Sequence, residues 1–256
     1  MIRVTDYPLL VLVISFVVLF LSVRTGSTLL TKLPKPEQRA RENLSLVLSA
    51  TLTLLGLIIA FTFSMAVGRY DQRKNLEEEE ANAIGTEYVR ADLLPAEDAA
   101  RVRALLKDYL GQRVLFYTTR DRERVRQIDA RTAQLQKELW SAVVHGVQAT
   151  PQLPPVTLAA AGMNDVLNSQ GYAQAAWWNR IPPAAWVLML VIAVMGHLLV
   201  GYGVQNFTDE RAFLLVLPLV MSIAFFLIAD IDAPRSGVIR VQPQNLMSLA
   251  ESLGPQ

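Results

Sequence analysis

The chain alternates between long stretches that lack charged side chains and stretches that are rich in them. Four stretches are uncharged or carry one acid at an edge, and they cover residues 8–23, 44–67, 184–204 and 212–231. About 20 apolar residues in a helix rise the ~30 Å of a bilayer's hydrocarbon layer, and a backbone crosses lipid only as a helix or a closed barrel. The pattern therefore predicts an all-α integral membrane protein with four transmembrane helices.

Residues 69–183 predict a helical, water-facing region between the second and third spans. No helix breaker follows the second span, so its helix should continue into charged sequence with an incomplete apolar stripe, formed by Leu76, Ala83, Ile84 and Val89. Pro95 disfavours helix at the residue before it. Two amphipathic helices then fit residues 96–117 and 121–147, where apolar residues recur at helical spacing.

A loop at residues 149–156 and a helix at 157–176 should lead to the third span. Trp177 and Trp178 directly precede that span. Paired tryptophans at this position are typical of the lipid headgroup layer, and packing against protein is the alternative. Residues 244–253 form an amphipathic tail that either gates, anchors or docks on its own helices.

These features divide the chain into four parts. We expect the first two spans in residues 1–68, the extramembrane region in 69–183, the last two spans in 184–232 and a tail in 233–256. Basic residues near the spans are distributed almost evenly between the two sides, so the positive-inside rule does not orient the chain. We expect the middle region and both termini in the cytoplasm, because nothing marks that region for export.

Composition excludes several classes of function. The chain is 52% hydrophobic and 18% charged with a net charge of +1, and it has no cysteine. A nucleic-acid partner requires a basic excess, and a thiolate metal site or a disulfide requires cysteine. No phosphate loop, nucleophile elbow or histidine pair at metal-ligand spacing appears. We therefore expect no enzyme, no cofactor and no metal site, and a lipid bilayer as the surrounding medium.

Ionisable residues at or near membrane depth are candidates for function. His197 lies inside the third span, and a hydrogen bond to a neighbouring helix is favoured there over proton relay. Asp230 and Asp232 end the fourth span, where they either attract cations, cap local amides or pair with Arg235. In the acidic run that ends at Glu80, one or two members could face a symmetry axis and interact with ions, while the rest are solvated.

Three segments resemble a family of bacterial membrane proteins described as bestrophin-like. They cover residues 61–73, 80–95 and 230–241, and the run EANAIGT at residues 80–86 is the most specific of them. A more distant resemblance connects the chain to the bestrophin ion channels, which are pentameric. This resemblance implies an oligomer of about five copies around a central path for small inorganic ions.

In bestrophin ion channels, the second membrane helix lines a narrow hydrophobic neck with apolar residues spaced four apart. The resemblance places Thr53, Leu57 and Phe61 at these pore-lining positions, and the spacing keeps all three on one helix face. Thr53 stands where an isoleucine is usual, which weakens the hydrophobic gate at that level.

The sequence thus supports two functions of different classes. The first is a bestrophin-like oligomeric ion channel whose pore is lined by the second transmembrane helix. The second is a non-conducting, membrane-anchored helical module that binds or assembles other proteins, in which the hydroxyl-rich second helix only packs against its neighbours.

Overall fold

The computed structural model describes residues 4–29, 38–149, 154–203 and 211–254, and every regular element in these ranges is helical. The all-α prediction is confirmed. The α-helices are α1 Pro8–Leu29, α2 Gln38–Arg90, α3 Ala96–Thr118, α4 Arg122–Ala149, α5 Pro154–Trp178, α6 Pro183–Gly203, α7 Arg211–Asp232 and α8 Gln244–Ser252. Short 3-10 helices at Val4–Asp6 and Ala91–Leu93 precede α1 and follow α2.

Four stretches of the described chain are long and apolar enough to cross a membrane. They are Pro8–Thr28, Glu42–Leu93, Val156–Gly203 and Leu214–Asp232. The third includes both α5 and α6, and its uncharged part is α6. The prediction of four spans is therefore confirmed, and the chain is a multipass membrane protein.

The fold consists of two compact units. One contains Met1–Arg69 and Arg180–Arg240, and the other contains Tyr70–Asn179 and Val241–Gln256. Helix α2 contributes to both, since it passes Arg69 without a break. In the first unit α1 packs against α6 and α7, and in the second α3 packs against α4 and α8 while α4 packs against α5.

Two glycines bring the backbones of α1 and α6 into direct contact. A Cβ atom on Gly201 would overlap the carbonyl oxygen of Val23, and one on Gly26 would overlap the carbonyl oxygen of Leu198. Small residues allow membrane helices to approach this closely. The contact is reciprocal, because each helix supplies one glycine and one facing carbonyl group.

The second unit has a hydrophobic core that the helical spacing predicted well. Helices α3 and α4 begin and end within two residues of the predicted bounds. Most of their predicted apolar residues are buried, including Leu106 in α3 and Leu139 in α4. The break after α2 falls at the 3-10 helix before Pro95, as expected from the restriction that proline places on the preceding residue.

The structure corrects the predicted loop before α5 and selects one of the alternatives for the C-terminal tail. The predicted loop at 149–156 is wrong at Ala149, which ends α4, and from Pro154 onward, where α5 already begins. Residues 150–153 lie outside the described ranges. The tail helix docks on its own unit, because α8 packs against α3 and Leu246 is fully buried.

Candidate functional site: helix α2

The apolar part of α2 is barely covered by its own chain. Only 6% of its most apolar stretch is buried, compared with 44% in α7. Leu57 is 51% exposed, Phe61 is 65% exposed and Thr53 is also exposed. Their spacing of four places all three on one face of the helix. An apolar helix face with so little cover is available to lipid, to another copy of the chain or to the wall of a pore.

Beyond the apolar part, α2 turns a set of charged residues toward the core of the second unit. The buried stripe of α2 recurs at alternating steps of four and three residues, which keeps its members on one helix face. Its members are Arg73, Glu77, Glu80, Ile84, Glu87 and Ala91. Of the apolar stripe predicted from the sequence, Ile84 is fully buried and Leu76 and Ala83 are half-buried, but Val89 is 66% exposed. Ionisable side chains occupy the positions where a hydrophobic pattern would place leucine or isoleucine.

Glu80 forms a buried ion pair with Arg113 of α3. Arg113 Nε donates to Glu80 Oε1, and Arg113 Nη2 donates to Glu80 Oε2 at 3.3 Å. The Tyr117 hydroxyl also donates to Glu80 Oε2 at 3.3 Å. Both charged side chains are 0% exposed. Buried charges are tolerated when they are paired and hydrogen-bonded in this way.

The two tyrosines beside this pair, Tyr109 and Tyr117, are very weak acids. Burial, followed by the negative charge of Glu80, raises the pKa of the Tyr109 and Tyr117 hydroxyls above the usual range. Desolvation disfavours a phenolate, and a second negative charge beside Glu80 would add repulsion. Both hydroxyls therefore stay neutral at any physiological pH, and Tyr117 remains a hydrogen-bond donor to the pair.

Two other members of the stripe bind the ends of neighbouring helices. Glu77 accepts hydrogen bonds from Asn245 Nδ2 at 2.7 Å and from the Leu246 amide at 2.9 Å, both in the first turn of α8. Arg73 donates to the carbonyl groups of Ala176 and Asn179 at 3.3 Å, where α5 ends. Helix ends leave amide and carbonyl groups unpaired, and a carboxylate or a guanidinium satisfies them with favourable charge.

Asp230 and Asp232 are both buried in the first unit, and both accept hydrogen bonds from other residues of that unit. Asp230 accepts from the amides of Val238 and Ile239, each at 2.8 Å. This arrangement confirms the local amide cap that was one of the sequence alternatives for Asp230.

Asp232 is part of a second cluster, centred on a guanidinium group. Arg180 Nε donates to Asp232 Oδ2 at 2.8 Å, and Arg180 Nη1 donates to Asp6 Oδ1 at 3.0 Å. The Ile181 amide also donates to Asp232 Oδ1 at 3.2 Å. A role of Glu80, Asp230 or Asp232 toward permeating ions stays a prediction.

The two histidines make different contacts. His197 is fully buried, and its Nδ1 lies 2.7 Å from the carbonyl oxygen of Ala193, four residues earlier in α6. His145 Nδ1 lies 2.8 Å from Asp98 Oδ1. Among the residues that the structure describes, no group of three or more histidine, aspartate or glutamate side chains could hold a metal ion.

The paired tryptophans have opposite environments. Trp177 is 5% exposed and packs edge-on against Phe116 and Tyr117, with ring centroids 4.9 and 5.4 Å apart. Trp178 is 72% exposed. Packing against protein, one of the two alternatives from the sequence, therefore holds for Trp177. Consecutive helix positions differ by about 100°, which separates the two rings.

A model of the bestrophin-like domain matches residues 12–246 of the chain. The match covers most of its length, so the protein belongs to the bestrophin-like family, as the segments around residues 61–95 and 230–241 indicated. No curated protein matches the chain in sequence.

Solved structures with this fold include bacterial bestrophin homologues from Klebsiella pneumoniae. Crystal structures of two single-residue variants of that homologue superpose with TM-scores of 0.65 and 0.67 at 13% and 14% sequence identity. The first match covers 96% of this chain and 97% of the other, and the second covers 94% and 97%. At this identity the similarity concerns the fold.

Proposed function

We propose that the protein is an oligomeric, bestrophin-type ion channel whose pore is lined by α2. Family membership and the fold of bacterial bestrophin homologues support this function. The observation that carries it is the exposure of Thr53, Leu57 and Phe61, which share one face of a helix that its own chain barely covers. About five copies around an axis would bring five such faces together, in the way that closed rings repeat one contact.

The chemistry of the face defines how such a pore would work. Rings of Leu57 and Phe61 would form a hydrophobic constriction, from which water withdraws when the diameter is small. Thr53 lies one turn from Leu57 and offers a hydroxyl group, so the dry segment would be short. An ion loses its hydration only over that segment, and small inorganic ions pass when it widens. We place this channel in the bacterial inner membrane, with the middle region and termini in the cytoplasm.

Phe61→Ala should raise the ion current several-fold at a fixed voltage. Removing the ring would widen the proposed constriction at Phe61 and lower the free-energy cost of filling it with water. The measurement is single-channel recording of purified protein in planar bilayers. Phe63→Ala is the matched control, because Phe63 is 41% exposed on the same helix but points about 200° away. Equal effects of the two variants would contradict a pore at Phe61.

The subunit number in detergent should be about five, since a central pore requires a ring of copies. Mass measurement by light scattering or native mass spectrometry gives this number directly. A monomer has no symmetry axis and would contradict the channel. That outcome, together with protein that stays silent across common ions and pH values, would favour the non-conducting assembly module.

A further inference from the structure

Glu87 is the member of the buried stripe for which the structure provides no donor. Its side chain is fully buried, and both carboxyl oxygens lie away from solvent without a hydrogen-bond partner. Glu80, two turns earlier, and Glu77, about three turns earlier, each accept two or more hydrogen bonds. Among the three glutamates of this stripe, Glu87 alone accepts no hydrogen bond at either carboxyl oxygen.

The carboxyl group of Glu87 sits against a glycine of α5. A Cβ atom on Gly162 would overlap Glu87 Oε2 and would lie 2.7 Å from Arg90 Nη1. The absence of a side chain at Gly162 therefore creates the space that the carboxyl group fills. Its charged neighbours are Arg90, one turn further along α2, and Asp165, one turn further along α5. They carry opposite charges, so their effects on the carboxyl group oppose each other.

Water can reach the edge of this contact. A cavity of about 260 Å³ lies beside Gly162. Its lining consists of Asn82, Ala83, Thr86, Arg90, Gly162 and Asp165. Asn82, Thr86 and Asp165 are exposed, so protons can be exchanged with the bulk through this cavity.

We infer that Glu87 is a proton-binding site at the contact between α2 and α5, and that loss of its proton weakens this contact. An uncharged carboxyl group can be buried at a modest cost, whereas an unpaired carboxylate cannot. Carboxyl groups buried without compensation have raised pKa values, about 8 to 9 in documented cases. Asp165 adds repulsion to the ionised form, and Arg90 limits the effect. The inference concerns the second unit alone and does not depend on ion conduction.

The expected signature is a stability that falls as the pH rises. An unfolded glutamate ionises near pH ~4.3, so above that pH the unfolded chain has lost a proton that the folded protein still holds. The folding equilibrium constant therefore decreases about tenfold per pH unit, until the folded carboxyl group also ionises. Below pH ~4 both states are protonated and the effect disappears.

The test compares the melting temperature of the full-length protein in detergent with that of Glu87→Gln between pH 5 and 10. The amide mimics a neutral carboxyl group, so the melting temperatures of the two proteins should lie within about 2 °C of each other at pH 5. The wild type should then lose about 3 °C per pH unit relative to the variant. The difference should level off at about pH 8, because burial raises the pKa of Glu87 to about 8. Glu79→Gln, an exposed glutamate on the same helix, should follow the wild type at every pH.

Difference infrared spectroscopy provides a second measurement that needs no stable variant. The wild type at pH 7 should show the carbonyl stretch of a protonated carboxylic acid, and this band should disappear on titration to pH 10. Glu87→Gln, where it folds, should lack the band, and Glu79→Gln should retain it. A wild type without the band at pH 7, or parallel melting curves of wild type and Glu87→Gln, would overturn the inference.

Discussion

Arg113→Met should lower the free energy of unfolding by about 3 to 5 kcal/mol. Methionine fills similar space but leaves the Glu80 carboxylate fully buried, with the Tyr117 hydroxyl as its remaining donor in the structure. The cost arises from this unpaired charge more than from the lost attraction. Chemical denaturation of the purified protein in detergent, followed by circular dichroism, measures the change.

The exposed ion pair between Arg126 and Glu123 is the matched control for this prediction. Its side chains are 75% and 61% exposed, so Arg126→Met should cost less than ~1 kcal/mol. The double variant Arg113→Met, Glu80→Met removes both charges and should recover a large part of the stability that the single variant loses. Equal losses in Arg113→Met and Arg126→Met would show that the buried pair does not stabilise the unit.

Gly201→Ala should destabilise the first unit by about 1 to 3 kcal/mol. The new methyl group would overlap the Val23 carbonyl oxygen and lie 2.8 Å from the Val23 carbonyl carbon. These are backbone atoms, which cannot rotate away as a flexible side chain would, so α1 and α6 must separate. The melting temperature of the purified protein measures the loss.

Gly203→Ala tests whether the loss comes from the helix contact or from the substitution itself. Gly203 lies two residues further along α6, and nothing lies within 4 Å of the position that its Cβ would occupy. Gly203 does not have a positive φ, so alanine fits its backbone conformation and this variant should match the wild type. If both variants melt together, the close approach of α1 and α6 contributes nothing to stability.

The membrane helices could be predicted because their signal is local. Long uncharged stretches are sufficient to locate α1, α6 and α7, and the apolar part of α2, without knowledge of any partner. The same holds for α3 and α4, where apolar residues recur at helical spacing. In each case the sequence of one segment determines the type of element that forms.

The buried stripe of α2 could not be predicted, because its signal is not local. Hydropathy assigns Arg73, Glu77 and Glu80 to solvent, and the acidic run before Ala81 has the composition of a solvated surface. Their burial depends on donors and acceptors far along the chain, such as Arg113 and the first turn of α8. The available signal was that charged residues of α2 recur at spacings of three and four, which places them on one helix face. That spacing indicates burial only once the partner residues are known.

For the face of α2 that includes Phe61, the sequence predicts the helix face but not what covers it. Spacing placed Thr53, Leu57 and Phe61 on one face, and the structure leaves that face exposed. Which surface covers it is a property of the assembly rather than of one chain. Subunit number and the effect of Phe61→Ala on current address that property directly.

The contacts of α1 impose an order on biosynthesis. Its partners α6 and α7 are synthesised much later than α1, and Asp6 meets Arg180 across 174 positions of sequence. At 5 to 20 residues per second, synthesis of that interval takes about 9 to 35 s. During this time α1 must reside in lipid or beside an insertion factor, because α6, which packs against Gly26, has not yet been synthesised.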